Sequence, residues 1–189
     1  MKVYAITLMG NPQAHKLFDD CVTSGRTHNW NIQAWPAVDG KTLTPGHFSE
    51  LNLKLNPETK IAHRPGAQGC FLSHWALWHH CIELDQPIVI LENDAIINEP
   101  IPEFDATKGI LKLHRDRGTK ISASGTWSKG THGYIIAPDH ARQLIQALKT
   151  TQVRPSDKAI GSLFVTWRHS DRDIVTLNLN RGPSTTAHC

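Results

Sequence analysis

The stretch "PIVILENDAIIN", residues 87–98, sets Glu92, Asn93 and Asp94 between two aliphatic runs. The run before them, Ile88 to Leu91, has no polar alternation and reads as a strand covered on both faces. Ligands of open α/β sheets bind beyond the carboxyl ends of the strands, where these three residues fall. If extended geometry persists for two more residues, the side chains of Glu92 and Asp94 point the same way. Two convergent carboxylates are costly unless a cation or donors compensate them, and hard oxygen ligands suit Mn²⁺ or Mg²⁺. A metal held in this way completes its shell with water and phosphate oxygens, which points to a nucleoside diphosphate ligand. Acidic residues that merely end a strand and cap a turn have the same spacing, so this pattern alone leaves both readings open.

Other chemistries find less support. His74 and His79 are five apart and His79 and His80 are neighbours, so no histidine pair of this stretch has the i, i+4 spacing of two ligands on one helix face. There is no G-x-S-x-G elbow, no P-loop and no G-x-G-x-x-G. Cys21, Cys70, Cys81 and Cys189 are widely spaced without a C-x-x-C pair, so free buried thiols in a reducing compartment are expected, not a zinc knuckle or a disulfide framework. The net charge of +3 is spread without a five-residue run of one sign. Such a bias suits phosphorylated small molecules, and no stable nucleic-acid partner is expected. The N-terminal "MKVYAITLMGNPQ" is too short and too mixed for a signal-peptide core or a membrane span, which leads to the expectation of a cytoplasmic protein. A peripheral place at the inner face of a membrane would follow only from a lipid-linked acceptor. Nothing in the sequence fixes the oligomeric state.

The elements that must position these residues alternate in type. "VYAITL" (3–8) reads as a first strand, followed after Gly10 and Pro12 by a helix from about Gln13 to Val22. "NIQAWPAVDG" (31–40) reads as a second strand, and residues 41–66 as a loop region with a short helix near His47 to Leu53. From about Ala67 to Leu84, Phe71, Trp75, Trp78 and Ile82 recur at helical spacing and predict a central packed helix. Strands are predicted at 88–91, 109–114, 133–138 and 173–179, and helices at Pro138 to Lys149 and about Ser156 to Phe164. At 189 residues this is a single α/β domain with a mostly parallel central sheet flanked by helices.

The segments "GAQGCFLSHWALW" (66–78) and "PIVILENDA" resemble the central signature of glycosyltransferase family 25, the lipooligosaccharide and collagen-type galactosyltransferases, in which a Gly-Cys-x-x-Ser-His helix precedes a strand ending in Leu-Glu-Asp-Asp. Supporting matches are "VYAITL", "WPAVDGKTL", "GILKLH", "GTHGYIIAPDHARQLI", "PSD" and "GPSTTAH", spread over most of the chain. The resemblance implies a GT-A-like (Rossmann-like) fold, with a donor-binding part over about 1–115 and an acceptor-side part over about 116–189. It also implies transfer, with inversion, of a hexose, commonly galactose, from a UDP-sugar to a hydroxyl of a glycan such as lipopolysaccharide or lipooligosaccharide, with a divalent metal. Glu92 and Asp94 then hold Mn²⁺ or Mg²⁺, with Asn93 between them, and Asp94 is the direct ligand that makes the site active. Asp157 matches an acidic position and becomes the candidate base, with a helix N-terminal carboxylate as its alternative. Ser73, His74, Gly130, Thr131 and Gly133 become candidates for the donor pocket, and Arg64 and Lys112 for its phosphates; packing, turn chemistry and simple solvation are their respective alternatives. Two departures stand out: Asn93 replaces the first aspartate of the Asp-Asp pair, and Lys16 stands where arginines are usual. Asn93 motivates a rival expectation, a catalytically impaired module that binds a nucleotide sugar or glycan. A transferase acting on protein or modified nucleic acid is a further rival.

Overall fold

The computed structural model describes residues 1–44, 46–122, 125–161 and 163–180. The "GPSTTAH" segment and Cys189 lie outside them. Strand β1 (Lys2–Thr7) leads into helix α1 (Pro12–Arg26), which begins where the Asn11 side chain accepts the Ala14 N–H at 3.0 Å and Pro12 supplies a preset first turn. Strand β2 (Ile32–Pro36) and helix α2 (His47–Glu50) precede the long helix α3 (Pro65–Leu84), which Asp85 ends in the left-handed region at φ 47°. Strands β3 (Ile88–Glu92), β4 (Ala95–Ile97) and β5 (Ile110–Lys112) follow, then β6 (Lys120–Ser122), β7 (Gly125–Trp127) and β8 (Gly133–Ile136). Helices α4 (Pro138–Thr150) and α5 (Ser156–Ala159) and strands β9 (Trp167–His169) and β10 (Val175–Leu177) complete the order.

The main sheet has six strands in the order β2-β1-β3-β8-β5-β9. Its pairs are parallel except where β8 runs antiparallel to both β3 and β5, so five strands share one direction and one is reversed. The mostly parallel α/β sheet expected from the sequence is therefore present. β4 and β10 form a separate antiparallel pair, as do β6 and β7. The strand expected over 173–179 thus lies outside the main sheet and is shorter, and the helix expected over 156–164 stops at Ala159, where Ile160 leaves helical geometry at ψ 70°.

Alternation along the strands divides the core in two. Tyr4, Ile6, Ile88, Ile90, Ile110, Tyr134 and Ile136 pack under α3 and α4, whereas Val3, Ala5, Val89, Leu91, Leu111 and Ile135 pack with Cys21 of α1 and with Ala95, Ile97 and Val175 of the β4–β10 pair. The aliphatic run of β3 is buried on both faces, Ile88 through Leu91 being inaccessible to solvent. The first turns of α3 lie against the chain that follows β2. A Cβ on Gly69 would stand 2.4 Å from the Val38 carbonyl oxygen, so only glycine permits this approach. Ser73 completes the contact by accepting the Val38 N–H at 2.9 Å while donating to the Gly69 carbonyl at 2.7 Å.

Candidate functional site

Glu92 is the last residue of β3 and, like Ile88 and Ile90, points to the α3 side of the sheet. Its backbone N–H donates to the His132 carbonyl at 3.2 Å. Its carboxylate accepts the Thr131 hydroxyl and stands 3.8 Å from His74 Nε2. Burial pushes this carboxyl up, but the His74 ring and the Thr131 hydroxyl beside it outweigh burial and hold it down at about 2. Glu92 is thus an anion at neutral pH. His74 is wholly buried, and its Nδ1 lies 2.9 Å from the Tyr134 hydroxyl, which accepts the Trp78 indole N–H at 2.9 Å. Burial raises the Tyr134 phenol well above its ordinary value and keeps it protonated. His74 Nε2 has no hydrogen-bond partner among the described residues.

A cavity of about 300 Å³ opens at this end of the sheet, lined among others by Arg64, Cys70, Glu92, Thr131, His132 and Asp157. Cys70 is presented one turn before His74 because Gly69 seats α3 on the preceding loop, and its thiol lies 3.8 Å from the Ser156 hydroxyl. Burial, then the Glu92 charge, pushes that thiol up. Asp157 comes from α5; burial pushes its carboxyl up, and the Lys112 ammonium opposes this. Lys112 is 1% exposed, donates to the Ser128 carbonyl and hydroxyl, both at 2.9 Å, and lies over the Trp167 ring. Burial draws its ammonium down to about 8, against the raising charges of Asp157 and Asp116. Burial, then the charge of His114, draws His132 down to about 4 and leaves it a neutral ring beside Glu92 at neutral pH.

Of the residues singled out in the sequence, Glu92, Gly130, Thr131, Asp157 and Arg64 line this cavity, and His74 approaches Glu92 from above. Gly130 has φ +95°, so turn geometry as well as the cavity calls for glycine there. Ser73, Asn93, Asp94, Lys112 and Gly133 are not among its lining residues. The reason for the acidic segment is local. Extended geometry ends at Glu92, and residues 93 and 94 form the turn into β4, so the i, i+2 alternation expected beyond Leu91 stops short of Asp94. Asn93 instead donates its amide to the Ala14 carbonyl at 3.1 Å, tying the turn to α1. Asp94 is buried, its carbonyl accepts the Asn178 N–H at 2.8 Å, and its charge helps burial raise the thiol of Cys21 on α1. Gly133 sits where a Cβ would meet Val175 at 3.0 Å and Leu91 at 3.2 Å, a packing constraint under the β4–β10 pair. Cys70, His132 and Ser156 also line the cavity without standing out in the sequence as site residues; only Cys70 carries a signal, at i, i+4 to His74 on α3.

Through Glu92 the cavity offers a carboxylate to a divalent cation. The donors beside it are a thiol and an imidazole: Cys70 Sγ, a His74 ring nitrogen and a Glu92 oxygen all lie within 4.8 Å of one another. No helix of the described residues is long and apolar enough to cross a membrane.

The profile of glycosyltransferase family 25, described as an LPS biosynthesis protein, matches residues 1–113. A glycosyltransferase 25 family member of Aedes aegypti is 25% identical over 86% of this chain and 30% of its own length. Procollagen galactosyltransferase 1-A of Xenopus laevis is 25% identical over 68% of this chain and 26% of its own length. The chain therefore spans about 30% or less of these two relatives. Among solved structures, a glycosyltransferase involved in the glycosylation of the major capsid of PBCV-1 aligns with 79% of this chain and 66% of its own, at 11% identity and a TM-score of 0.42.

Proposed function

The chain belongs to glycosyltransferase family 25, and on that premise we propose that it transfers a hexose, galactose first among the candidates, from a UDP-sugar to a hydroxyl of a glycan acceptor. The observation that carries this reading is the meeting of Glu92 and Asp157 with Arg64 at one cavity beyond the carboxyl end of β3. Arg64 suits the donor diphosphate, since a guanidinium matches phosphate oxygens in a fork geometry.

In the proposed reaction the acceptor oxygen attacks the anomeric carbon as the bond from that carbon to the diphosphate breaks, and the nucleoside diphosphate leaves with the bonding pair. Asp157 accepts the acceptor's proton, and a carboxyl lifted by burial holds it better than an ordinary surface aspartate. Gly130 and Thr131 border the space left for the sugar, and the Thr131 hydroxyl fixes the Glu92 carboxylate. A divalent cation held by Glu92 would neutralise charge on the leaving diphosphate. Asp94, buried in the following turn, supports that end of β3 through its backbone. The Asn93 amide has a structural bond to Ala14, which favours the transferase over an impaired binding module.

Asp157→Asn tests the assignment. Transfer to a glycan acceptor should fall by about 10²-fold or more, the range of a lost general base, while a UDP-sugar still raises the unfolding midpoint. Undiminished transfer by the variant removes Asp157 from the reaction.

A further inference from the structure

We propose that Cys70, His74 and Glu92 form a binding site for a borderline-soft divalent cation of the zinc class, with its open coordination position facing the cavity. The reading does not depend on the transfer reaction.

Three observations on separate elements carry it. Cys70 and His74 are one turn apart on α3, so their side chains project from the same face, and Glu92 meets them from the end of β3. Their donor atoms lie within 4.8 Å of one another, with His74 Nε2 3.8 Å from the Glu92 carboxylate. A tetrahedral zinc shell, with bonds of about 2.0–2.3 Å, places its donors about 3.3–3.6 Å apart, so the three close on an ion by moving about 1 Å. The second observation is His74 Nε2 itself, wholly buried and without a hydrogen-bond partner among the described residues, on the side of the ring facing Glu92. A buried polar nitrogen left in this way is costly, and a cation satisfies it.

The third is the support behind the ring. Metal-bound imidazoles are oriented by a bond at their other nitrogen, and His74 Nδ1 has the Tyr134 hydroxyl at 2.9 Å. When Nδ1 carries the ring proton it donates to that oxygen, leaving the Nε2 lone pair for the ion. The Trp78 indole N–H, bonded to the same oxygen at 2.9 Å, holds Tyr134 in place. Sulfur and imidazole donors favour zinc, cobalt or copper over the hard ions that an all-oxygen pair selects. Cys70 and Glu92 both line the cavity, so the fourth position is open to a water or a ligand oxygen, the arrangement of zinc sites that act on ligands.

Cobalt(II) reports on such a site, because a cobalt–thiolate bond gives a charge-transfer absorption in the near ultraviolet. Chelator-stripped full-length protein titrated with Co²⁺ without oxygen should show this band, saturating at a single equivalent and bleached by Zn²⁺. Cys70→Ser should abolish the band, and Cys70→Ser and His74→Gln should each weaken Zn²⁺ retention in equilibrium dialysis by about tenfold or more. Asp94→Asn should leave the band in place. Absence of the band in the unaltered protein overturns the proposal even if His74→Gln fails to fold. So does a band that survives Cys70→Ser, or cation binding lost in Asp94→Asn but kept in Cys70→Ser. Sugar transfer without the band would remove this site and leave the transferase standing; the band without transfer would do the reverse.

Discussion

The two faces of the six-stranded sheet are closed by similar apolar packing but differ in what they bury beside it. On the α1 side the inward strand residues Val3, Ala5, Val89, Leu91, Leu111 and Ile135 are aliphatic, and the buried Thr7 adds a hydroxyl that donates to the Ala14 carbonyl at 3.3 Å. On the α3 side the same strands contribute the Tyr134 hydroxyl, Lys112 and Glu92, and α3 adds Ser73 and His74. Each of these makes a specific contact: Tyr134 to Trp78 and His74, Lys112 to Ser128, Glu92 to Thr131, and Ser73 to the Val38 backbone. Buried polar groups need such partners, so this face demands particular residue types at more positions than the other. The cavity opens on the demanding face.

The largest effect expected of this division is on the aliphatic side. Leu91→Ala should cost about 2–5 kcal/mol in chemical denaturation, the range for emptying a core leucine site, without altering ligand- or cation-induced shifts once folded. Loss of ligand response in folded Leu91→Ala would show that the faces are not independent. Tyr134→Phe on the other face keeps the ring but strips the hydroxyl from two buried nitrogens, one on Trp78 and one on His74. It should cost about 1–3 kcal/mol by the same measurement. A cost near zero would mean that those nitrogens find other partners. Asn93→Asp is the smallest and sharpest of the three. It replaces a donor to the Ala14 carbonyl with a carboxylate that only accepts, so at neutral pH it should cost about 1 kcal/mol. A gain in stability would return position 93 to the acidic cluster.

The long elements were legible because their signals are strong. The aliphatic run of β3, the aromatic periodicity of α3 and the Asn11–Pro12 start of α1 are each dictated locally. The short strands were not. β9 has the sequence "WRH" and no alternation to read, and it exists because β5 offers a parallel edge from Ile110 to Lys112. β6 and β7 are likewise made by their pairing with each other. The reversal of β8 had no sequence mark, since "GYII" is equally apolar in either direction. At the site, Glu92 is legible from its place at the end of an aliphatic run, and Thr131 and Asp157 because they lie within the family-like segments. Asp94 was expected beside Glu92 through a strand rule that the turn at 93 and 94 cancels. Cys70 escapes any search for pairs of like ligands, because the helix sets one thiol and one imidazole on the same face.

The reversed strand has a consequence for how this molecule is made. β8 sits between β3 and β5, so the strands of residues 1–113 do not form a continuous sheet without a segment synthesised later. A nascent chain that has emerged only to Leu113 carries β3, its most aliphatic strand, with one edge paired to β1 and the other bare. Bare apolar edges recruit other strands, so the interval before β8 arrives is when the chain is most exposed to misassociation. Residues 1–113 and the stretch that follows them are therefore not separable folding units: the second supplies the strand that joins the first to itself.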